Sequence, residues 1–188
     1  LTANGVLSPL SGLPSGLAAG PIRHLTMTPD GLLIVAARDS LFYSADGGDT
    51  WATSSPLDSG ITALAAIDSR RIYVGTETMG IYQSADLGQS WQLTADGLGL
   101  AAGQMVRVTT LRADPQLANV LYATVDHLVG ATQVHASAAG AFVSTDGAAN
   151  WQPLAGPAFP EARTASSLVV LSDKPPQALY EMIERDYL

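Results

Sequence analysis

Charged side chains recur at one position of a repeated pattern in this 188-residue chain. Four apolar segments, LIVAAR, IYVGTE, LYATVD and LYEMIE, align without gaps. They end at Arg38, Glu77, Asp126 and Glu184, and His127 follows the third. If the segments are equivalent strands of a repeat, these side chains lie on one side of the molecule. A surface with mostly acidic side chains and an arginine would bind a cation, a sugar or a basic peptide.

We call these aligned charged residues the charged column. General acid–base catalysis is the alternative role for them. Glycoside hydrolysis needs two carboxylates about 5 to 10 Å apart, and Glu77 and Glu184 could face each other across a small ring. The two carboxyl groups would also need environments that drive their pKa values apart. Because a symmetric ring gives its members similar solvated surroundings, we favour binding and assign no catalytic residue.

Other patterns that carry chemistry do not occur in the sequence. His24, His127 and His135 lack the spacing of a metal site such as His-x-x-x-His. There is no Gly-x-Ser-x-Gly elbow, Walker loop or dinucleotide fingerprint. Cysteine is absent, which excludes disulfides and thiol nucleophiles. We therefore expect neither a metal nor a cofactor.

Composition restricts the class of partner. Nine Lys and Arg against seventeen Asp and Glu give a net charge of -8, the wrong sign for binding nucleic acid or anionic lipid. With 47% hydrophobic and 14% charged residues, the chain can bury a core as one domain over 1–188. No apolar run reaches the roughly 18 residues of a membrane span. We expect a protein or glycan partner, and a homo-oligomer is compatible with this composition.

A repeat organises the chain. Ser-x-Asp-x-x-x-x-Trp occurs at 44–51, 84–91 and 144–151, which we call boxes 1, 2 and 3. Asp46 and Asp86 are 40 positions apart, and Asp86 and Asp146 are 60 apart. A period of about 40 to 45 residues is typical of a four-stranded propeller blade. We assign the longer second spacing to an insertion at 128–140.

Short β-branched and aromatic runs surround each box and predict four strands per unit. The predicted strands are 22–28, 32–38, 41–45 and 50–55; then 61–68, 71–78, 80–85 and 90–95; then 106–113, 119–126, 141–145 and 150–155. The fold class is therefore an all-β propeller of four-stranded antiparallel blades. Successive strands reverse direction, so the boxes share one face, and the long loops 8–21, 95–104, 128–140 and 155–165 share the other.

The chain ends predict a closing arrangement. Segments 166–172 and 178–185 repeat the first two strands of a fourth unit, giving about four blade equivalents. Residues 5–12 are expected to pair with that unit as an outer strand, because closure hides sheet edges that otherwise promote aggregation. The ring is then a small closed one, or part of a larger one completed by further chain or by a second copy.

The boxes resemble the Asp-box, or BNR, repeat of sialidases, xyloglucanases, sortilin-type receptors and the photosystem II assembly factor, whose pattern is Ser-x-Asp-x-Gly-x-x-Trp. Boxes 1 and 2 match at Ser44, Asp46, Gly48 and Trp51 and at Ser84, Asp86, Gly88 and Trp91. Box 3 keeps Ser144, Asp146 and Trp151 but has Ala148 in the glycine position. A sialidase resemblance would imply an arginine cluster and a tyrosine nucleophile. Arg23, Arg38, Arg107 and Tyr180 are candidates, but their placement does not repeat that family's motifs.

The boxes have a structural interpretation that needs no ligand. An Asp at the head of a turn accepts hydrogen bonds from backbone N–H groups a few residues on, and glycine supplies positive φ. We therefore predict a non-catalytic binding or assembly scaffold for a protein or glycan. The alternative is a carbohydrate-active module, such as part of a glycoside hydrolase. Fold alone does not decide between them.

Overall fold

The architecture is three successive four-stranded antiparallel sheets and a two-stranded fourth. It is taken from a computed structural model that describes residues 14–18, 21–94, 96–98, 105–128, 140–154, 167–170 and 179–182. Blade 1 contains β1 (His24–Met27), β2 (Leu33–Ala37), β3 (Ser40–Ser44) and β4 (Ala52–Thr53). Blade 2 contains β5 (Ile61–Asp68), β6 (Arg71–Thr76), β7 (Ile81–Ser84) and β8 (Gln92–Leu93). Blade 3 contains β9 (Met105–Ala113), β10 (Leu121–Leu128), β11 (Gly140–Ser144) and β12 (Gln152–Pro153).

The fourth sheet pairs β13 (Ser167–Val170) with β14 (Leu179–Met182), and a one-turn helix, α1 (Ser15–Ala18), precedes blade 1. Each complete blade is a meander in which neighbours along the chain pair antiparallel. This confirms the all-β class and the four-stranded blades. The outer strands β4, β8 and β12 pair over only two residues each, fewer than their predicted lengths. No helix among the described residues is long and apolar enough to cross a membrane.

Closure of the ring is a separate question from the fold of the blades. The closing strand expected at 5–12 lies outside the described residues, as does almost all of the insertion at 128–140. Within the part that the structure describes, three sheets have four strands each and the fourth has two. The fourth sheet packs through β13 against β9 and β10 of blade 3.

The core lies between the blades. One cluster joins Ile34, Ala36 and Leu41 of blade 1 to Leu64, Ile72 and Val74 of blade 2. The next joins Ala65, Tyr73 and Ile81 of blade 2 to Val108, Leu111 and Ala123 of blade 3. The middle strands are covered on both faces, which explains why they are apolar almost throughout. Each fully buried large side chain contributes about 1.5 to 3 kcal/mol of transfer free energy.

Each box is a turn held by its own side chains. The serine hydroxyl accepts the N–H of the residue four positions on, at 2.8 Å for Gly48, 2.7 Å for Gly88 and 2.9 Å for Ala148. The same hydroxyl donates to the Asp carboxylate at 2.7 to 2.8 Å. That carboxylate accepts a backbone N–H four residues on, at 2.9 Å in every box. The structural role predicted for the boxes fits this geometry.

Ala148 keeps the turn of box 3 intact although it replaces the usual glycine. Its φ of +71° is left-handed, as is the +78° of Gly88. The methyl group is fully buried in the cluster between blades 2 and 3. Burial of the methyl group therefore offsets part of the cost of the left-handed backbone.

The tryptophans attach boxes 2 and 3 to the preceding blade. The Trp91 indole N–H donates to the Ser55 carbonyl at 3.1 Å, and that of Trp151 donates to the Thr94 carbonyl at 2.9 Å. Both acceptors lie just after the outer strand of the preceding blade. The Trp51 N–H instead donates to the Gly48 carbonyl of its own box, at 3.0 Å.

Gly88→Ala tests the close approach of box 2 to blade 1. A Cβ at Gly88 would lie 2.5 Å from the Ser54 Cβ and 2.9 Å from the Trp91 ring. Gly47→Ala is the matched control, since its φ is also positive, +75°, and nothing lies within 4 Å. Urea unfolding should show Gly88→Ala less stable than Gly47→Ala by about 1 to 3 kcal/mol. Equal losses would mean that the blades do not touch closely there.

Acid should weaken the boxes. Hydrogen bonds from Ser90 and Asn150, and from the backbone and the box serines, lower the pKa values of Asp86 and Asp146 from 3.8 to about 2. A carboxyl group whose pKa is lower in the folded than in the unfolded state stabilises the fold at pH values above its unfolded-state pKa. This stabilisation is lost as the pH falls through the folded-state pKa. Melting temperature should therefore fall between about pH 4 and 2. The Asp86→Asn variant should have a lower melting temperature than the wild type at neutral pH, but its melting temperature should fall less between about pH 4 and 2. A fall as large as that of the wild type would contradict the role of Asp86.

Candidate functional site

The candidate site is a cleft between blades 1 and 2, on the face opposite the boxes. It is built by the turn after β2, by the segment 57–60 that enters β5, and by the turn after β6. Its volume is about 480 Å³ and it opens to solvent. The residues that line it are Arg23, Arg38, Asp39, Leu57, Asp58, Ser59, Gly60 and Glu77.

Strand register places Arg38, Glu77 and Asp126 at equivalent positions of blades 1, 2 and 3. Leu33, Ile72 and Leu121 lie opposite the three box serines, and the charged residue follows five positions later in each blade. The structure brings two members of the column, Arg38 and Glu77, into one cleft. The binding role assigned to these residues stays a prediction.

The other members of the column are placed differently. Asp126 does not end its strand, because β9 and β10 continue pairing to Leu128; across the sheet, Asp126 lies opposite Arg107 and His127 opposite Val106. Asp126 is half-buried and does not line the cleft. Glu184 lies outside the described residues.

Main-chain hydrogen bonds fix the walls of the cleft. Ile61 N–H donates to the Arg38 carbonyl at 2.6 Å and Leu57 N–H to the Asp39 carbonyl at 2.8 Å. On the other wall, Glu77 N–H donates to the Gly60 carbonyl at 2.9 Å. The walls therefore join blade 1, the connecting segment and blade 2 without depending on the charged side chains.

The charged groups themselves are loosely held. Arg23 Nη1 lies 3.9 Å from Glu77 Oε1, and the two side chains are 47% and 49% exposed. Solvent-exposed pairs of this kind contribute little to stability, so both groups can exchange their contact for a ligand. The Glu77 side chain lies over Gly60, where a Cβ would be 3.0 Å from the Glu77 Cδ. A small residue at position 60 thus lets Glu77 adopt this orientation.

Sequence reasoning missed Asp58, Ser59 and Gly60. They belong to a short connection between blades, not to the aligned strand ends or to a long loop, so neither signal includes them. Ser59 is buried, and its hydroxyl lies 3.2 Å from that of Thr78 in the turn after β6. No pattern in the sequence distinguishes this segment from an ordinary turn.

The environment of His24 shifts its pKa. Burial lowers the pKa of His24, and the nearby Arg112 and Arg23 charges add to that effect, while a hydrogen bond to the Thr62 backbone raises the pKa in part. Within the described ranges, no group of three or more His, Asp or Glu side chains is arranged to hold a metal ion.

Arg38 has an unusual backbone. Its φ is +56°, in the left-handed region, within the two-residue turn between Ala37 and Ser40. Such turns demand positive φ and favour Gly, Asn or Asp. A non-glycine residue there costs about 1 to 2 kcal/mol. Strain of this kind at a cleft residue is typical of a position retained for its side chain.

Comparison with known proteins shows the fold. No protein-family model matches the sequence, and no curated protein matches it. Among solved structures, the GH74 enzyme of Niastella koreensis matches with a TM-score of 0.59 and 17% identity, over 81% of this chain and 24% of that one. YCF48 bound to D1 peptide matches with a TM-score of 0.54 and 15% identity, over 84% and 45%. YCF48 from Cyanidioschyzon merolae matches with a TM-score of 0.54 and 13% identity, over 82% and 46%.

These neighbours are β-propellers, and the likeness is consistent with the resemblance to BNR-like propellers that the boxes indicated. At such identities the likeness concerns the fold alone. The chain spans less than half the length of each neighbour.

Arg38→Gly separates stability from function at the cleft. Glycine accepts φ of +56° without a Cβ clash, so the variant should be more stable by about 1 kcal/mol. It also removes the guanidinium from the cleft and should weaken partner binding. Chemical denaturation and a binding titration on the same preparation measure both effects. A variant that loses stability would show that the Arg38 side chain supports the fold.

Proposed function

We propose that this chain is a non-catalytic binding or assembly scaffold that takes a protein segment in the cleft between blades 1 and 2. One observation supports the proposal most directly. Two arginines and three carboxylates line an open cleft, and main-chain hydrogen bonds hold the walls of that cleft in place. Arg23 and Arg38 supply guanidinium donors, and Asp39, Asp58 and Glu77 supply acceptors. Because these walls are already ordered, binding a partner costs less conformational entropy.

A peptide matches this mixture of charges. Guanidinium groups bind carboxylates and main-chain carbonyls, and carboxylates bind ammonium, guanidinium and N–H groups. The weak Arg23–Glu77 pair can open to offer one group of each sign. The peptide-bound YCF48 neighbour supports this choice, because its propeller carries a peptide.

The carbohydrate-active alternative rests on the GH74 neighbour and on the presence of more than one carboxylate in the cleft, such as Asp58 and Glu77. A general acid works best where an apolar environment keeps its carboxyl group protonated. The cleft has a single aliphatic lining residue, Leu57, and its other lining residues are charged or small. This lining favours binding over acid catalysis.

Arrays of peptides and of glycans, probed with the purified chain, test the proposal. Arg38→Ala should weaken peptide binding about tenfold or more, because it removes charge-assisted hydrogen bonds. Arg70→Ala is the matched control, since Arg70 is an exposed arginine on the β5–β6 turn of the opposite face. It should bind like the wild type.

The same arrays identify the alternative. Binding to glycans alone would reject the peptide proposal. Turnover of xyloglucan or sialosides that Glu77→Gln abolishes would replace the scaffold with a hydrolase. Equal loss in Arg38→Ala and Arg70→Ala would locate binding outside the cleft.

A further inference from the structure

At one side of the cleft, the segment that enters β5 lies against the turn after β6. The Ser59 hydroxyl lies 3.2 Å from that of Thr78, and the carbonyl of the next residue, Gly60, accepts the N–H of the residue before Thr78. The two segments therefore run in opposite directions where they meet. In this order Asp58 comes beside Met79, and both side chains are exposed.

Tyr82 of β7 places an aromatic ring next to these two residues. Its hydroxyl lies 3.9 Å from the Met79 Sδ, and a thioether is a weak acceptor. The ring is half-buried and packs, like that of Leu57, against the apolar cluster between blades 1 and 2. Burial raises the pKa of Tyr82, and the Asp58 charge raises it further, so the carboxylate lies within electrostatic reach of the phenol. We call Asp58, Met79 and Tyr82 the aromatic rim of the cleft.

The Asp58 carboxylate is exposed, and no neighbour neutralises it. The ion pairs within the described ranges are Arg23–Glu77 and Arg71–Asp68, and neither includes Asp58. In that part of the chain its carboxylate also accepts no hydrogen bond. The charge of Asp58 is therefore available to a partner that enters the cleft.

The aromatic rim has the chemistry that binds a basic side chain. Lysine and arginine carry a cation at the end of an apolar stem. A carboxylate forms charge-assisted hydrogen bonds with that cation, and a tyrosine ring attracts it within about 6 Å. The thioether and the ring supply adaptable apolar surface for the stem. An acidic side chain at the same place would be repelled by Asp58.

We propose that the aromatic rim binds a lysine or arginine side chain of the protein segment in the cleft, with the stem on Met79 and Tyr82 and the cation at Asp58. This inference rests on the proposed function, because it assigns one residue of the segment that the cleft takes. The net charge of -8 favours the same choice, since an acidic protein attracts basic partners. The rim thereby gives specificity to a cleft whose other charged groups have both signs.

Octapeptides with blocked ends and one defined central residue in an otherwise randomised sequence test the proposal by fluorescence anisotropy. The central residue is lysine, arginine, norleucine, citrulline or glutamate. Lysine and arginine peptides should bind the wild type about fivefold or more tightly than norleucine and citrulline peptides, which keep the stem but lack the charge. Glutamate peptides should bind most weakly.

Variants of the rim separate the charge from the ring. Asp58→Asn should abolish the preference for basic peptides, and Asp58→Lys should shift it to the glutamate peptides. Asp49→Asn is the matched control and should keep the preference, because Asp49 is an exposed aspartate in box 1 on the opposite face. Tyr82→Leu should weaken binding of the basic peptides about threefold or more, and Tyr82→Phe, which keeps the ring, should retain more of it. Tyr43→Leu is the control for packing, since Tyr43 packs against the same cluster.

The outcomes distinguish this inference from the proposed function. Peptides that bind in an Arg38-dependent way, with equal affinity for charged and neutral central residues, would overturn the inference and leave the cleft as the binding site. A preference for basic peptides that Asp58→Asn retains would place the basic side chain elsewhere and overturn it as well. Failure of every peptide to bind would reject the proposed function together with the inference.

Discussion

The serine hydroxyl that begins each box holds the outer hairpin of its blade closed, and the packing of blade on blade depends on it. The hydroxyls of Ser44, Ser84 and Ser144 are buried, and each joins a backbone N–H to the box carboxylate. Closing the turn places the tryptophan at the start of the outer strand. From there Trp91 and Trp151 bond to the preceding blade. A local turn thereby becomes a link between repeats.

The two ends of the blades have different physical tasks. At the box end, side chains satisfy the turns and attach one blade to the next. At the other end, main-chain bonds such as Ile61 N–H to the Arg38 carbonyl connect the blades. Blades 2 and 3 are also joined through the main chain, since Val106 N–H donates to the Thr78 carbonyl at 3.1 Å. Because the backbone carries this connection, Arg38 and Glu77 are left available for a partner.

The sequence predicted the strands well and the cleft only in part. Strands and boxes follow from local patterns, so all three complete blades are where periodicity placed them. The sequence alignment placed Arg38, Glu77 and Asp126 at equivalent positions. It did not predict that β9 and β10 continue to pair beyond Asp126, which keeps this residue within its strand. Asp58 to Gly60 were missed because their position depends on how two blades dock. The exposure of Leu25 was equally unpredictable, since its sequence context is that of the buried Leu64 and Leu111.

The central claim is that the boxes hold the fold while the cleft on the opposite face binds the partner. The most direct measurement is the change in backbone amide chemical shifts when the labelled chain is titrated with an array-selected peptide. The account predicts the largest changes at residues 38–39, 57–60 and 77–80, with the amides of Gly48, Gly88 and Ala148 unchanged. Largest changes at those three box amides, with the cleft unaffected, would contradict it.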